Sequence, residues 1–303
     1  MKPNNAQTRD VSRDISYASS AQTRLGKVMI RTVENATGRP HLIRRADGYQ
    51  NDVDAGRSFW DVVVRRYGLS LDVVRGQLDA IPREGPLVVV ANHPFGILDG
   101  LLMGYLLDQR RAGEFRILAN HVFRKAQALD EVILPVRFDE TRDAMKTNLE
   151  TRKEAQSFLK NGGAIGIFPG GTVSTSETLF SRPMDPSWRN FTAKMIMKSK
   201  ATVVPVCFEG HNSRLFQIAS HLHPNLRLAL LIREFRKKVD TPAKISIGAA
   251  VDRDILNEFG RDARAMMDFL RAKTYELSKE DLEPHSLGFE FEEKYKKNGS
   301  RNI

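Results

Sequence analysis

His93 and Asp99 stand six positions apart in VVVANHPFGILDG, residues 88–100, where an apolar run breaks at Asn92 and Pro94. An imidazole that takes up a proton and a carboxylate that orients it make a general-base pair, provided a turn brings them together. Pro94 and Gly96 favour such a turn over a continuous helix. Each residue also has an ordinary reading: His93 as a loop histidine, and Asp99 as the N-cap of the helical pattern around Leu101.

A second apolar run ends in a Gly-rich turn at IGIFPGGTVS, residues 165–174. Gly170 and Gly171 let backbone N–H groups approach an anionic oxygen, and Thr172 and Ser174 add donors. A plain strand-ending turn would have the same composition. Neither GxxxxGK[ST] nor GxGxxG is present. A third run, ATVVPVCFEG at 201–210, holds Pro205, which calls for a bulge, an edge or a strand end. Cys207 within it reads as a small core residue rather than a nucleophile. His121, His211, His221 and His223 have no zinc-site spacing, so no metal is expected. Asn148 and Arg152 share one helical face and would either reach the same cleft or stay solvated.

The elements that must position these residues alternate along the chain. Strand-like runs occur at 69–74, 87–91, 116–119, 132–136, 164–168, 202–208 and 244–247, with helical patterns between several of them. This predicts a single α/β sandwich, a central mostly parallel or mixed sheet flanked by helices and preceded by N-terminal helices. Residues 1–22 and 280–303 are polar and expected to be tails, 23–68 an N-terminal helical segment, and 69–279 the main domain. In 24–37, Leu25, Val28, Met29 and Val33 form the expected apolar stripe. In 59–67, Phe59, Trp60, Val63 and Val64 suit either a packed helix or an interfacial membrane helix.

A single cysteine excludes an intrachain disulfide framework. No apolar run reaches the ~18–20 residues of a membrane-spanning helix, and MKPNNAQTRDVSRD lacks the apolar core of a secretory signal. The expectation is a soluble, cytoplasmic protein. Its net charge of +10 favours anionic partners. Nucleic acid is not expected, because no recognition motif accompanies the charge. Arg227, Arg233, Arg236, Lys237 and Lys238, interleaved with apolar residues, form either an ordinary surface or a contact for acidic lipids.

NHPFGILD (92–99), FPGGT (168–172) and VVPV (203–206) occur in that order, each in or at the end of a strand-like run. Together they resemble the glycerolipid and lysophospholipid acyltransferase family, whose hallmarks are NH-x4-D, FPEGT and a VPV-type block. VRG (74–76) and IPREGP (81–86) look like that family's lead-in, and the resemblance spans about residues 65–255. Here five residues rather than four separate His93 from Asp99, Gly170 stands at the glutamate position, and Val173 at the following arginine. With GHNSRLFQ (210–217) and HPNLR (223–227), these features are similar to the branch called putative hemolysin, which includes lyso-ornithine-lipid O-acyltransferase domains.

The resemblance implies transfer of a fatty acyl group from a thioester, acyl-CoA or acyl carrier protein, to the hydroxyl of a lyso-lipid, with no tightly bound cofactor. His93 would be the base and Asp99 its orienting acid, with no nucleophile from the protein. Asn92, Pro169, Gly170, Gly171, Thr172 and Pro205 would meet substrate, with Asn148 and Arg152 within reach. Arg124 and Lys125 fall near the family's acceptor-binding arginine. The place implied is the inner face of the cell membrane, on an anionic surface. A membrane-active, hemolysin-like protein without transfer activity and an acyl hydrolase are the alternative functions.

Overall fold

Every residue of the strand Leu87–Ala91 is buried. Leu87, Val89 and Ala91 enter one apolar cluster, while Val88 and Val90 enter another on the opposite face. A strand covered on both faces needs a continuous rather than alternating apolar run, which is what the sequence provides. The computed structural model describes residues 15–21, 23–120, 127–137 and 141–291.

The strands are β1 (Ser70–Arg75), β2 (Leu87–Ala91), β3 (Phe115–Asn120), β4 (Ile133–Val136), β5 (Ala164–Ile167), β6 (Thr175–Ser176), β7 (Pro183–Met184), β8 (Thr202–Phe208) and β9 (Pro242–Ile247). Seven of them form one sheet in the order β1-β9-β8-β2-β5-β3-β4, and β6 pairs with β7 as a short hairpin. The run β8-β2-β5-β3-β4 is parallel throughout, whereas β9 joins β8 antiparallel and carries β1 parallel to itself. The sheet is therefore mixed, with one antiparallel junction between β8 and β9 and a parallel run that extends to the edge strand β4.

Helices cover both faces: α1 (Arg24–Thr37), α2 (Arg39–Ala46), α3 (Tyr49–Asp54), α4 (Phe59–Arg66), α5 (Ile97–Arg111), α6 (Gln127–Asp130), α7 (Arg142–Lys160), α8 (Asn190–Ser199), α9 (Arg214–Leu222), α10 (Pro224–Arg236), α11 (Arg253–Glu258) and α12 (Ala263–Tyr275). Residues of α4, α5 and α10 pack on one side of the sheet, those of α7, α8 and α12 on the other. Trp60 of α4 lies against Gly104 of α5, where any added Cβ would overlap the indole. With Trp60, Val62, Val63 and Val64 all buried, α4 is a packed helix and not an interfacial one.

Four expectations change. In α1 the stripe is split: Leu25 is 80% and Val28 63% exposed, Val33 packs against the core, and Gly26, Ile30 and Glu34 are buried. Residues 15–21 are ordered, because buried Glu34 accepts from the Tyr17 N–H (2.6 Å) and the Ser16 hydroxyl (2.5 Å). Residues 283–291 also pack on the body: Glu290 makes two bonds to Arg189 (2.8 and 2.9 Å), and Gly288 N–H donates to the Asp185 carbonyl (2.9 Å). The basic run falls on α10, most of which is buried, with Arg227 turned inward and Arg233 paired to Glu234 at 2.8 Å. Residues 1–14, 22 and 292–303, the rest of the two expected tails, lie outside the described residues, as do His121, Arg124 and Lys125.

Candidate active site

The neighbouring parallel strands β5, β2 and β8 end along one edge of the sheet, the edge at which open α/β sheets place ligands. His93 follows β2, and Phe168 to Thr172 follow β5. The imidazole stacks on the Phe168 ring, with centroids 4.3 Å apart and 26° between planes.

His93 Nδ1 lies 2.9 Å from Asp99 Oδ2, with the carboxylate fully buried. The oxygen sits off the ideal line of an Nδ1–H bond, at ion-pair distance. The same Oδ2 accepts from the N–H groups of Phe95 (2.8 Å) and Gly96 (2.9 Å). Asp99 therefore caps the helix from the third position of α5, in a capping-box arrangement, with the same oxygen beside the His93 imidazole. The extra residue between His93 and Asp99 is absorbed at Gly96, which adopts φ +89° and ψ −111°. That conformation is open to glycine and strained for other residues. Burial raises the Asp99 pKa, opposed by His93 and by the Phe95 and Gly96 N–H groups.

Asp185, fully buried, holds the two loops together from behind. Its Oδ1 accepts from the His93 N–H (3.2 Å) and the Ser174 hydroxyl, and its Oδ2 from Trp188 Nε1 (2.9 Å). A Cβ at Gly170 would come within 3.2 Å of the same carboxylate. The Ser174 N–H in turn donates to the His93 carbonyl at 2.8 Å. No sequence signal singles out Asp185, since a lone Asp before a proline resembles any turn residue.

His93 lines a cavity of about 360 Å³ together with Gly96, Phe168, Pro169, Gly171, Thr172 and Arg227. Its remaining wall is largely apolar, with Leu101, Ile117, Leu129, Ile133, Val136 and Phe191 contributing. Tyr17, from the ordered N-terminal stretch, and Trp60 close part of it.

The other expected substrate contacts are placed differently. Asn92 donates from Nδ2 to the Phe208 carbonyl (3.0 Å) and accepts at Oδ1 from the Phe208 N–H (2.7 Å). Its amide is thus committed to joining the ends of β2 and β8. Asn148 brackets Arg137 in the same way, through that residue's N–H (2.9 Å) and carbonyl (2.7 Å). Arg152 lies over the Phe191 ring at 5.3 Å, behind the cavity wall rather than on it. Gly170 is buried against Asp185, and Pro205 is buried within β8, paired to Val90 of β2. Pro205 is tolerated in an interior strand because its missing N–H falls where the antiparallel pairing with β9, which begins at Val206, has stopped. Cys207 is buried, and burial pushes its thiol pKa well above the ordinary value, which suits a core residue.

Residues 73–209 match the family model described as Acyltransferase. The chain is similar to the lyso-glycine lipid O-acyltransferase of Phocaeicola vulgatus, 28% identical over 142 residues, 46% of this chain and 47% of the relative. It is also similar to the lyso-glycine lipid O-acyltransferase of Bacteroides thetaiotaomicron, 27% identical over 146 residues, 46% of this chain and 48% of the relative. Each match spans about half the length of the curated relative. Among solved structures, the chain is similar to the crystal structure of the 1-acyl-sn-glycerophosphate (LPA) acyltransferase PlsC from Thermotoga maritima. That likeness has 18% identity and a TM-score of 0.48, and covers 85% of this chain and 100% of that one.

Proposed function

From the match of residues 73–209 to the Acyltransferase family model, we propose that this chain is a lyso-lipid O-acyltransferase of the glycerolipid and lysophospholipid kind. The observation that carries the proposal is the His93–Asp99 pair, with His93 on the wall of a largely apolar cavity and Asp99 buried behind it.

With Nδ1 turned to Asp99, Nε2 is the nitrogen left for substrate. It takes the proton of the acceptor hydroxyl as that oxygen attacks the thioester carbonyl. The carbon–oxygen bond forms, the carbon–sulfur bond breaks, and the imidazolium returns its proton to the leaving thiolate. Asp99 holds the tautomer and offsets the imidazolium charge, a role aided by its two backbone donors and by its isolation from water. The apolar part of the cavity suits a fatty chain. The donor is a thioester of CoA or of acyl carrier protein. The acceptor belongs to the amino-acid lyso-lipids, of the glycine or ornithine kind.

Membrane access is part of the proposal. Phe180 is 83% and Leu222 71% exposed. Arg214 of α9 ties the Phe180 loop to that helix, donating to the Phe180 carbonyl at 2.8 Å. Among the described residues no helix is long and apolar enough to cross a membrane, so contact would be at the surface. Purified protein, given a labelled acyl thioester and a panel of lyso-lipids on anionic vesicles, should yield an O-acylated product. Absence of product from every acceptor would contradict the proposal, and free fatty acid as the main product would replace transfer with hydrolysis.

A further inference from the structure

Arg227 is only 7% exposed, yet among the described residues no carboxylate pairs with it. Its guanidinium donates only to neutral oxygens: Thr175 Oγ1 (2.5 Å), Ser220 Oγ (2.9 Å), Thr172 Oγ1 (3.1 Å) and the Val173 carbonyl (2.7 Å). The rings of Phe216 and Phe291 lie 5.0 and 4.3 Å from its central carbon and keep water off it. A cation buried without a counter-charge is costly, and this cost is relieved when a ligand brings the missing anion. Burial pushes its pKa down to about 9, opposed by Tyr17.

The hydrogen-bond directions show where that anion would sit. Arginine only donates, so each hydroxyl it touches accepts from it and has one proton left to give. Thr175 gives its proton to the Val173 carbonyl (2.9 Å), and Ser220 to the Phe216 carbonyl (2.7 Å). The Thr172 proton has no such acceptor. Thr172 is on the wall of the cavity that His93 lines, and Arg227 stands behind it on the same wall. Arg189, also on that wall, is already neutralised by Glu290.

We propose that Arg227 and Thr172 hold the head-group carboxylate of the acceptor, and that this site selects a lyso-lipid carrying a single negative charge over a phosphomonoester. One unpaired positive charge and one outward hydroxyl match a monoanion, whereas a doubly charged phosphate would leave charge unbalanced in a buried place. The assignment rests on the lyso-lipid acceptor proposed above, and it makes Thr172 and Arg227 specificity determinants beside the His93 chemistry.

The test is binding to the full chain without any thioester, so that no transfer occurs. The probes are an N-(hydroxyacyl)glycine, its methyl ester and a lysophosphatidate of equal chain length. Wild type should bind the acid roughly tenfold or more tightly than either of the others, as expected for one charge-assisted contact. Thr172→Val should remove most of that preference while leaving ester affinity unchanged, and Arg227→Gln, if folded, should remove all of it. Equal loss of acid and ester in Thr172→Val, unchanged acid binding, or tighter binding of lysophosphatidate by wild type would overturn the assignment. Transfer is assayed separately. Binding of the acid that depends on Thr172, with no acyl transfer, would contradict the enzymatic proposal and leave the carboxylate site standing.

Discussion

The Asp99 carboxylate does two things through a single oxygen: Oδ2 stands 2.9 Å from His93 Nδ1 and also takes the Phe95 and Gly96 N–H groups at the start of α5. The cap fixes the carboxylate in the helix, and the carboxylate lies against the imidazole. The turn, one residue longer than in the NH-x4-D pattern, is closed by the same contacts.

Asp99→Asn separates the two roles. The amide oxygen can still cap α5, but the side chain can no longer offset an imidazolium. Transfer should fall by roughly 10²–10⁴-fold. Stability should move the other way. A carboxyl whose folded pKa is raised binds its proton more tightly in the folded state, so stability is lost as pH rises from the ordinary value of 3.8 through the raised one. At pH 7 the Asn variant should therefore melt at least as high as wild type, with the gap closing in acid. Thermal scans across pH check this.

Gly96→Ala tests the turn. At φ +89° the new side chain is strained, and its Cβ would come within 3.2 Å of Leu231 and Val173. A loss of about 1–3 kcal/mol is expected, with a larger fall in kcat than the stability loss explains, because His93 and Asp99 are displaced relative to one another. Denaturant titration and steady-state kinetics give the two numbers.

Asp185→Ala should be more damaging to the fold than to any one contact. It orphans the His93 N–H, the Ser174 hydroxyl and the Trp188 indole N–H together. On the order of 3 kcal/mol or more should be lost, and Asp185→Asn, which keeps acceptor capacity, should lose less. Chemical denaturation of both variants distinguishes them.

Phe180→Ser and Leu222→Ser should leave the melting temperature nearly unchanged, since both side chains are largely exposed. Sedimentation with anionic vesicles should show weaker association for each. Retention equal to wild type would remove this face from the membrane account.

The sheet and the position of His93 at a strand end were legible in the sequence because both depend on local pattern. β2, β5 and β8 are apolar runs of strand length, and His93 directly follows one of them. What stayed hidden depends on distant partners. Asn92 reads as a polar residue beside a histidine, and only the fold shows its amide spent on Phe208. Asp185 gains its importance from His93, far back in the chain. Arg227 belongs to a run of basic residues that suggests a surface, yet one helical position turns it inward while Arg236 and Lys237 stay exposed. Leu25 and Val28 have helical spacing, but periodicity gives a stripe without saying which way it faces.

The central claim is that His93 is the base for transfer to a lipid hydroxyl. The direct measurement compares wild type with His93→Ala at matched folding, confirmed by equal melting temperatures, following O-acylated lipid formed from an acyl thioester and a lyso-lipid. Wild type should form product and the variant should fall to the uncatalysed level. Product formation by His93→Ala at the wild-type rate would contradict the account, whatever the acceptor proves to be.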